Sequence, residues 1–310
     1  MNVLVTGGAG FIGSHLCKRL IENGNTVVVI DNLSNGSEKN LKGIIDNPQF
    51  ILCKFDINNI QELKGVFGTH SFDMVFHLAA NADVYKGADN YHIDYANTLQ
   101  STLSVLEIMH QYGVKRLFFA SSSTIYGNTS DRINEHSPSL RPISHYGAAK
   151  LASEAFISSF NSLYGIEVIT ARFCNTVGPN MTHGVIPDLI RKLKSHPTEL
   201  VVYGDGKQTK PYIYIDDLLD GIFRIIENSD QLYNDYLVGV DSSLTVTRIA
   251  QIVMNEMGTK IPIKYENLNT CLNGDQCYYQ YDVTKLRMLG WSPKYTAEEA
   301  IRKAVIDNLS

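Results

Sequence analysis

Short apolar runs alternate with amphipathic stretches along the first half of the chain. The runs are rich in Val, Ile and Phe, which is typical of strands that are buried on both faces of a parallel sheet. They are NVLVT at 2–6, TVVVID at 26–31, FILCKF at 50–55, DMVFHLA at 73–79, KRLFFAS at 115–121 and IEVITARF at 166–173. The alternation predicts right-handed strand–helix–strand units and an α/β fold with a doubly wound parallel sheet of the Rossmann type.

Beyond Gly178 this alternation ends and helical patterns dominate. The stretch HGVIPDLIRKLKSHP predicts a helix, GVDSSLTVTRIAQIVMNEMG predicts a turn and a helix, and the last 30 residues predict another helical stretch. We therefore expect one large α/β unit with a smaller appended part at the carboxyl terminus.

Composition narrows the class of protein. The chain has 310 residues, of which 44% are hydrophobic, enough for a substantial core. Its net charge is −5 and it has no basic run, so we expect neither a nucleic-acid partner nor a membrane surface. No apolar stretch approaches the roughly 20 residues that span a bilayer, and the first strand begins at Asn2, which leaves no room for a signal peptide. Five scattered cysteines lack metal-ligand spacing, so reduced thiols, no metal and a cytoplasmic location are expected.

A glycine-rich turn follows the first apolar run and precedes a helical pattern. Gly7, Gly10 and Gly13 would allow a tight turn, close approach to a pyrophosphate and close packing of the helix on the strand. The second apolar run ends at Asp31, the position for an acidic residue that binds adenosine ribose hydroxyls. A carboxylate there repels a 2′-phosphate, and Asn32 follows it instead of a basic residue. The turn therefore predicts a dinucleotide site that prefers NAD to NADP.

A second motif, YGAAK, places Tyr146 and Lys150 four residues apart in a helical stretch. On a helix this spacing puts both side chains on one face, so that they can converge on one reacting atom. A phenol with a pKa of roughly 10 is a poor base at neutral pH, but a neighbouring ammonium and an oxidised nicotinamide favour its phenolate. Together with the glycine turn, the motif predicts oxidation of an alcohol.

Seven motifs occur in a characteristic order: TGGAGFIG, DNLSNG, FDI, HLAA, SSSTIYG, YGAAK and RFCNTVGP. With the later segments HGVIPDLIRKL, YGDGKQTKPYIYIDDLLDGI and DVTKLRMLGW, they make the chain resemble the extended short-chain dehydrogenase/reductase family. Within it the resemblance is to the NAD-dependent nucleotide-sugar epimerases and dehydratases of the UDP-glucose 4-epimerase type. It implies a Rossmann domain for NAD at 1–175, to which parts of 205–240 return, and a mainly substrate-binding domain at 176–310.

The resemblance also implies roles for individual residues. Tyr146 would be the catalytic base, Lys150 would bind the nicotinamide ribose and lower the pKa of Tyr146, and Ser122 would hydrogen-bond the sugar. The residues at cofactor-contact positions are Gly7, Gly10, Phe11, Ile12, Asp31, Asn32, Asn35, Gly36, Asp56, Ile57, Leu78, Ala79, Ala80, Tyr146, Lys150 and Phe173. Those expected to contact the nucleotide-diphosphate sugar are Ser122, Ser123, Asn175, Val185, Tyr203, Lys210 and Asp275.

The residues after Ser122 favour one reaction among those of the family. Dehydratases and decarboxylases of the family usually carry a glutamate two residues before the tyrosine that is Tyr126 of SSSTIYG here, and an aspartate often precedes that glutamate. This chain has Ser123 and Thr124 at these two positions. This favours reversible oxidation at C4 of the sugar, and hence a nucleotide-sugar 4-epimerase. A net C4 dehydrogenase or reductase that makes or consumes a 4-keto sugar is the alternative enzyme. A noncatalytic dinucleotide sensor is the alternative outside catalysis, and retention of all three catalytic residues argues against it.

Several positions depart from the family pattern. Thr98 stands where an asparagine is usual near the active site, with Asn97 one residue earlier. Lys210 replaces an arginine that commonly meets the diphosphate, and Leu272 stands where many epimerases have a second arginine. Lysine holds a phosphate as a point charge and not as a bidentate fork. The sugar or base pocket could therefore differ from the usual one, or Arg191 could compensate.

Two helical stretches, 92–112 and 147–164, match those that pair across a two-fold axis in this family. We therefore expect a homodimer, with packed faces formed by Leu99, Leu103, Leu106, Ala152, Ala155, Phe156 and Ser159. The alternative is that these residues form intramolecular core.

Overall fold

The computed structural model describes residues 1–81, 83–129, 132–138, 140–196, 198–266 and 280–309, in which strands and helices alternate. The strands in chain order are β1 (Asn2–Thr6), β2 (Thr26–Ile30), β3 (Phe50–Cys53), β4 (Met74–His77), β5 (Arg116–Ser122), β6 (Glu167–Phe173), β7 (Asn175–Val177), β8 (Leu200–Tyr203), β9 (Thr209–Tyr214), β10 (Tyr233–Val238), β11 (Ser243–Thr245) and β12 (Ile263–Glu266). The α-helices are α1 (Phe11–Glu22), α2 (Ile60–Thr69), α3 (Val84–Asp89), α4 (Tyr91–Asp94), α5 (Ser101–Gln111), α6 (His145–Tyr164), α7 (Val185–Ser195), α8 (Ile215–Asn228), α9 (Val246–Glu256), α10 (Thr284–Met288) and α11 (Ala297–Leu309). Two 3₁₀ helices, Glu38–Leu41 and Ser123–Tyr126, and a π-helical segment, Tyr95–Gln100, complete the regular structure of these residues.

The large sheet has seven strands in the order β10-β6-β5-β4-β1-β2-β3. Every neighbouring pair in it is parallel. The six apolar runs of the sequence supply β1 to β6, so the predicted doubly wound parallel sheet is confirmed. Because all strands run the same way, their carboxyl ends lie along one edge of the sheet, where ligands bind in this architecture.

Both faces of the sheet are buried, which explains why its strands are apolar throughout. Val3 and Val5 of β1 belong to a core that also contains Leu16 of α1. Leu4, between them, points to the other face, into a second core that contains Leu63 of α2 and Leu106 of α5. All six side chains are fully buried.

Helix α6 carries the YGAAK motif and has clear start and stop signals. The Ser144 hydroxyl accepts the N–H of Gly147 at 3.1 Å and caps the amino end. Gly165 ends the helix in the left-handed conformation, with φ of 64°, which glycine adopts without steric cost. The position of the motif on the first turns of α6 is therefore fixed locally.

The chain from 175 onward builds two further sheets and returns once to the large one. Strands β11, β9 and β7 form a three-stranded sheet, and β12 pairs with β8. Strand β10, within the range 205–240, joins the edge of the large sheet beside β6. The domain boundary at 175 stays a prediction. Among the described helices, none is both long and apolar enough to cross a membrane.

Candidate active site

The glycine-rich turn after β1 is packed too tightly for a side chain at Gly7 and Gly13. Gly7 has φ of 72°, and a Cβ on it would lie 2.8 Å from the backbone nitrogen of Ala79. A Cβ on Gly13 would lie 2.2 Å from the carbonyl oxygen of Gly7. Helix α1 begins directly after Gly10 and presents its free N–H groups at this turn.

The Asp31 carboxylate, directly after β2, accepts backbone hydrogen bonds from the glycine-rich turn and from its own loop. Its Oδ2 accepts the N–H of Ala9 at 2.9 Å, and its Oδ1 accepts the N–H of Leu33 at 2.8 Å. Burial raises the pKa of Asp31, and these two hydrogen bonds oppose the rise. Nearby, the amide of Asn32 donates to a carboxylate oxygen of Asp56 at 3.0 Å. The carboxylate thus couples the glycine turn to the loop that would meet the adenosine ribose.

A cavity of about 390 Å³ lies along the carboxyl edge of the sheet. All the predicted cofactor contacts line it, as do the three predicted catalytic residues. Of the predicted substrate residues it brings together Ser122, Ser123, Asn175 and Lys210. Sequence reasoning missed part of the lining, namely Asn81, Val84, Asn180, Thr182 and His183. The last three residues come directly after RFCNTVGP. Their place beyond a motif that ends a strand could have indicated that they lie near the ligand.

Three predicted substrate residues are not brought to this cavity by the described structure. Val185 begins α7 and packs against the core. Tyr203 ends β8, where its half-exposed ring lies under the Lys192 ammonium, 4.1 Å from Nζ to the ring centroid. Neither residue lines the cavity. The resemblance predicts which chain position is near the substrate, but it does not predict where the side chain at that position points. Asp275 lies outside the described residues, as does Leu272.

Ser122, Tyr146 and Lys150 meet where β5 ends against α6. The Lys150 side chain is buried, and its Nζ donates to the carbonyl oxygen of Ala120 at 2.6 Å. The Ser122 hydroxyl oxygen accepts two bonds from Thr124, from its N–H at 3.2 Å and its hydroxyl at 3.0 Å. The proton of Ser122 therefore remains available for Tyr146, with which it hydrogen-bonds, or for a substrate oxygen.

Burial dominates the electrostatics of the pair on α6. It raises the pKa of Tyr146 to about 12, and the hydrogen bond with Ser122 opposes this rise. It lowers the pKa of Lys150 to about 7, against the attraction of Glu154. That Lys150 lowers the pKa of Tyr146 stays a prediction. A cationic ring placed beside Tyr146 would favour the phenolate.

A buried ion pair supports this corner from behind. Arg172 of β6 and Glu154 of α6 are 2.8 Å apart, from Nη2 to Oε2, and both are almost fully buried. The hydroxyl of Ser121, the neighbour of Ser122, donates to Glu154 at 2.5 Å. Arg172 also donates to the Tyr126 hydroxyl at 2.9 Å. The pair therefore ties α6, β6 and the end of β5 into one unit.

The helix before α5 widens into a π-helical segment at Tyr95–Gln100. Within it Asn97 lines the cavity, whereas Thr98 is fully buried and its hydroxyl oxygen accepts the N–H of Asn81 at 3.2 Å. Thr98 is thus a structural residue in this chain, and Asn97 is the asparagine that reaches the site. Such widened turns occur frequently at functional sites.

The cavity fits NAD on two grounds. The glycine positions leave no space for a Cβ at Gly7 and Gly13, as a turn that a pyrophosphate approaches closely requires. The Asp31 carboxylate stands at the end of β2 with no basic residue beside it, which suits ribose hydroxyls and not a 2′-phosphate. In the part of the chain that the structure describes, no group of His, Cys, Asp and Glu is arranged to hold a metal ion.

Comparison with known proteins gives the same picture from whole-chain similarity. The model of the NAD dependent epimerase/dehydratase family matches residues 3–239. A crystal structure of a UDP-galactose 4-epimerase superposes with a TM-score of 0.88 at 36% identity, covering 99% of this chain and 98% of the other.

Relatives that act on another sugar or catalyse another reaction are also similar along nearly the whole chain. The UDP-glucuronate 4-epimerase of Thermodesulfobacterium geofontis is 29% identical over 97% of this chain and 94% of its own length. UDP-glucuronic acid decarboxylase 1 of Arabidopsis thaliana is also 29% identical, over 99% of this chain and 69% of its own length. Overall similarity therefore does not distinguish between the reactions of these relatives. The residues beside Ser122 are the evidence that does.

Proposed function

The chain belongs to the NAD dependent epimerase/dehydratase family, and on that premise we propose that it is a cytoplasmic, NAD-dependent nucleotide-sugar 4-epimerase. The observation that carries the proposal is the hydroxyl of Thr124, which stands at the position of the dehydratase glutamate and donates to Ser122 at 3.0 Å. A site with this hydroxyl in place of a carboxylic acid lacks the additional acid and base that elimination of water requires. It keeps the groups needed for reversible oxidation at C4.

In this proposal the chain's own groups move one proton and hold the sugar. NAD, when bound, supplies the acceptor and donor of hydride. Tyr146 removes the proton of the O4 hydroxyl while C4 is oxidised, and Ser122 donates a hydrogen bond to the same oxygen. The 4-keto sugar then turns within the cavity, and Tyr146 returns the proton when C4 is reduced on its other face.

Two lysines hold the ligands around this reacting centre. One N–H of the Lys150 ammonium donates to the carbonyl oxygen of Ala120, and the other two can donate to ribose hydroxyls. Lys210 lines the cavity and would neutralise part of the diphosphate charge as a point charge. We propose a UDP-sugar as the first substrate to test, because the relatives described above act on UDP-sugars.

We also propose that the protein is a homodimer, assembled through α6 and the helix before it. Ala152, Phe156, Ser159 and Leu163 recur at helical spacing on α6, and the last three are exposed. Phe156 is 44% exposed and Leu163 70% exposed, which is unusual for large apolar side chains on one stripe. Leu106 is fully buried within the protomer and is therefore core and not interface.

An isotope experiment tests the epimerase against a net C4 dehydrogenase or reductase. Purified protein is incubated with UDP-glucose deuterated at C4, and with GDP-, CDP- and dTDP-glucose in parallel. An epimerase gives the C4 epimer with deuterium retained at C4 and no stoichiometric reduced cofactor in solution. Deuterated NADH together with a 4-keto product, and no epimer, would establish the dehydrogenase instead and overturn the proposal.

A further inference from the structure

His77 is fully buried at the end of β4 and hydrogen-bonds through both ring nitrogens. Its Nδ1 lies 2.7 Å from the hydroxyl oxygen of Thr6 in β1. Its Nε2 lies 3.0 Å from the hydroxyl oxygen of Thr102 in α5. Both threonines are themselves buried. The imidazole therefore bridges the strand that leads into the glycine turn and the helix that follows the π-helical segment.

The direction of each hydrogen bond follows from the neighbours. The Thr102 hydroxyl donates to the carbonyl oxygen of Thr98 at 2.7 Å, so its oxygen is left to accept from Nε2–H of His77. Nδ1 is then unprotonated and accepts the proton of Thr6, whose oxygen in turn accepts the N–H of Ala79 at 3.2 Å. The neutral Nε2–H tautomer is the one that pairs all of these atoms. Burial, aided by the charge of Lys150, lowers the pKa of His77 to about 3, so the ring is neutral at physiological pH.

The bonds close into a loop. Thr102 bonds His77 and the Thr98 carbonyl oxygen, and the Thr98 hydroxyl oxygen accepts the N–H of Asn81. The hydrogen-bonded path that starts at His77 therefore returns to the same segment four residues later, at Asn81. Residues 78–81 all line the cavity and are held at Ala79 from one side and at Asn81 from the other. We refer to this arrangement as the His77 network, formed by Thr6, His77, Ala79, Asn81, Thr98 and Thr102.

We propose that His77 and Thr102 are positioning residues, which fix the cavity loop 78–81 against the π-helical segment that carries Asn97. Thr6 forms the cofactor side of the network, because it holds the loop beside Gly7. Thr102 forms the side of the reacting sugar, because it bonds to the segment in which Asn97 lines the cavity. Only the kinetic part of the test rests on the proposed function.

A matched pair of variants tests the hydroxyl of Thr102. Thr102→Val keeps the shape but leaves Nε2–H of His77 without a partner, whereas Thr102→Ser keeps the hydroxyl. Amide hydrogen exchange of residues 78–81 should rise about tenfold in the valine variant and stay within about twofold of wild type in the serine variant. Turnover should fall about tenfold in the valine variant, with NAD affinity by titration unchanged, and the serine variant should restore it.

Nitrogen NMR of histidine-labelled protein, with His77→Phe to identify the resonance, reads the tautomer directly. A neutral Nε2–H ring from pH 6 to 8 is expected. An Nδ1–H tautomer would overturn the network, and so would wild-type exchange of residues 78–81 in Thr102→Val. A lower melting temperature with unchanged turnover in folded Thr102→Val would show a merely structural role and would also overturn the proposal. If the wild type epimerises no sugar, the proposed function fails, while exchange and tautomer still decide the network.

Discussion

The Lys150 ammonium lies 5.9 Å from the centre of the Tyr146 ring, one turn away on α6, and burial drives the pKa values of the two groups apart. The phenol rises to about 12 and the ammonium falls to about 7. Removing both groups from water disfavours the phenolate and the ammonium, which are the charged forms that catalysis needs. A cationic nicotinamide ring beside Tyr146 would favour the phenolate and oppose the effect of burial on its pKa.

Tyr146→Phe should lower turnover at least a hundredfold while NAD binding and folding persist, since general acid–base catalysis contributes about 10²–10⁴. Initial rates of epimer formation and a cofactor titration measure the two effects. Tyr164→Phe, the same change at an exposed position of the same helix, is the matched control and should behave as wild type. Near-normal turnover in folded Tyr146→Phe would remove Tyr146 from the role of base.

Lys150→Met should change how stability depends on pH. A lysine with a pKa of about 7 when folded and 10.5 when unfolded binds fewer protons in the folded state between these values. The free energy of unfolding of the wild type should therefore rise as pH increases through this window, gaining roughly 3 kcal/mol relative to Lys150→Met between pH 7 and 9.5. Urea unfolding of both proteins at the two pH values measures the difference. Parallel stability curves would contradict a buried, proton-poor Lys150.

Asp31→Asn should weaken the preference for NAD over NADP by about tenfold, because it removes a negative charge close to the 2′-phosphate position. The asparagine keeps the size of the side chain and an oxygen that can accept the N–H of Ala9 or Leu33. Titration with both cofactors gives the ratio of affinities, and the exposed Asp46→Asn controls for net charge. An unchanged ratio would exclude Asp31 from cofactor discrimination.

Much of this architecture could be predicted because its signals are local. Strands buried on both faces are apolar along their whole length, so β1 to β6 were visible as runs. The π-helical segment was not, since the widened turn depends on tertiary bonds such as that between Thr98 and Asn81. The pKa values on α6 were equally hidden, because spacing in the sequence shows which residues share a face but not how deeply that face is buried.

Glu154→Ala should destabilise the protein by roughly 3–5 kcal/mol, because it leaves the buried Arg172 with only the more exposed carboxylate of Asp235, 3.6 Å away. The double variant Glu154→Leu with Arg172→Met should recover most of that loss, since no unpaired charge remains. Urea unfolding of the single and double variants at pH 7 gives both numbers. Equal stability of Glu154→Ala and wild type would mean that the ion pair seen at 2.8 Å contributes nothing in solution.

The proposed dimer depends on the exposed stripe of α6, so a charge placed there should separate the protomers. Phe156→Glu together with Leu163→Glu puts two carboxylates into an interface that would have to bury them, which is costly without partners. The wild type should sediment as a dimer and the double variant as a monomer with its fold retained. Met288→Glu, at a side chain that is 81% exposed on α10, adds charge away from the stripe and should leave the dimer intact. A monomeric wild type would contradict the interface. So would a double variant that is folded and still dimeric, because the two protomers would then have to meet elsewhere.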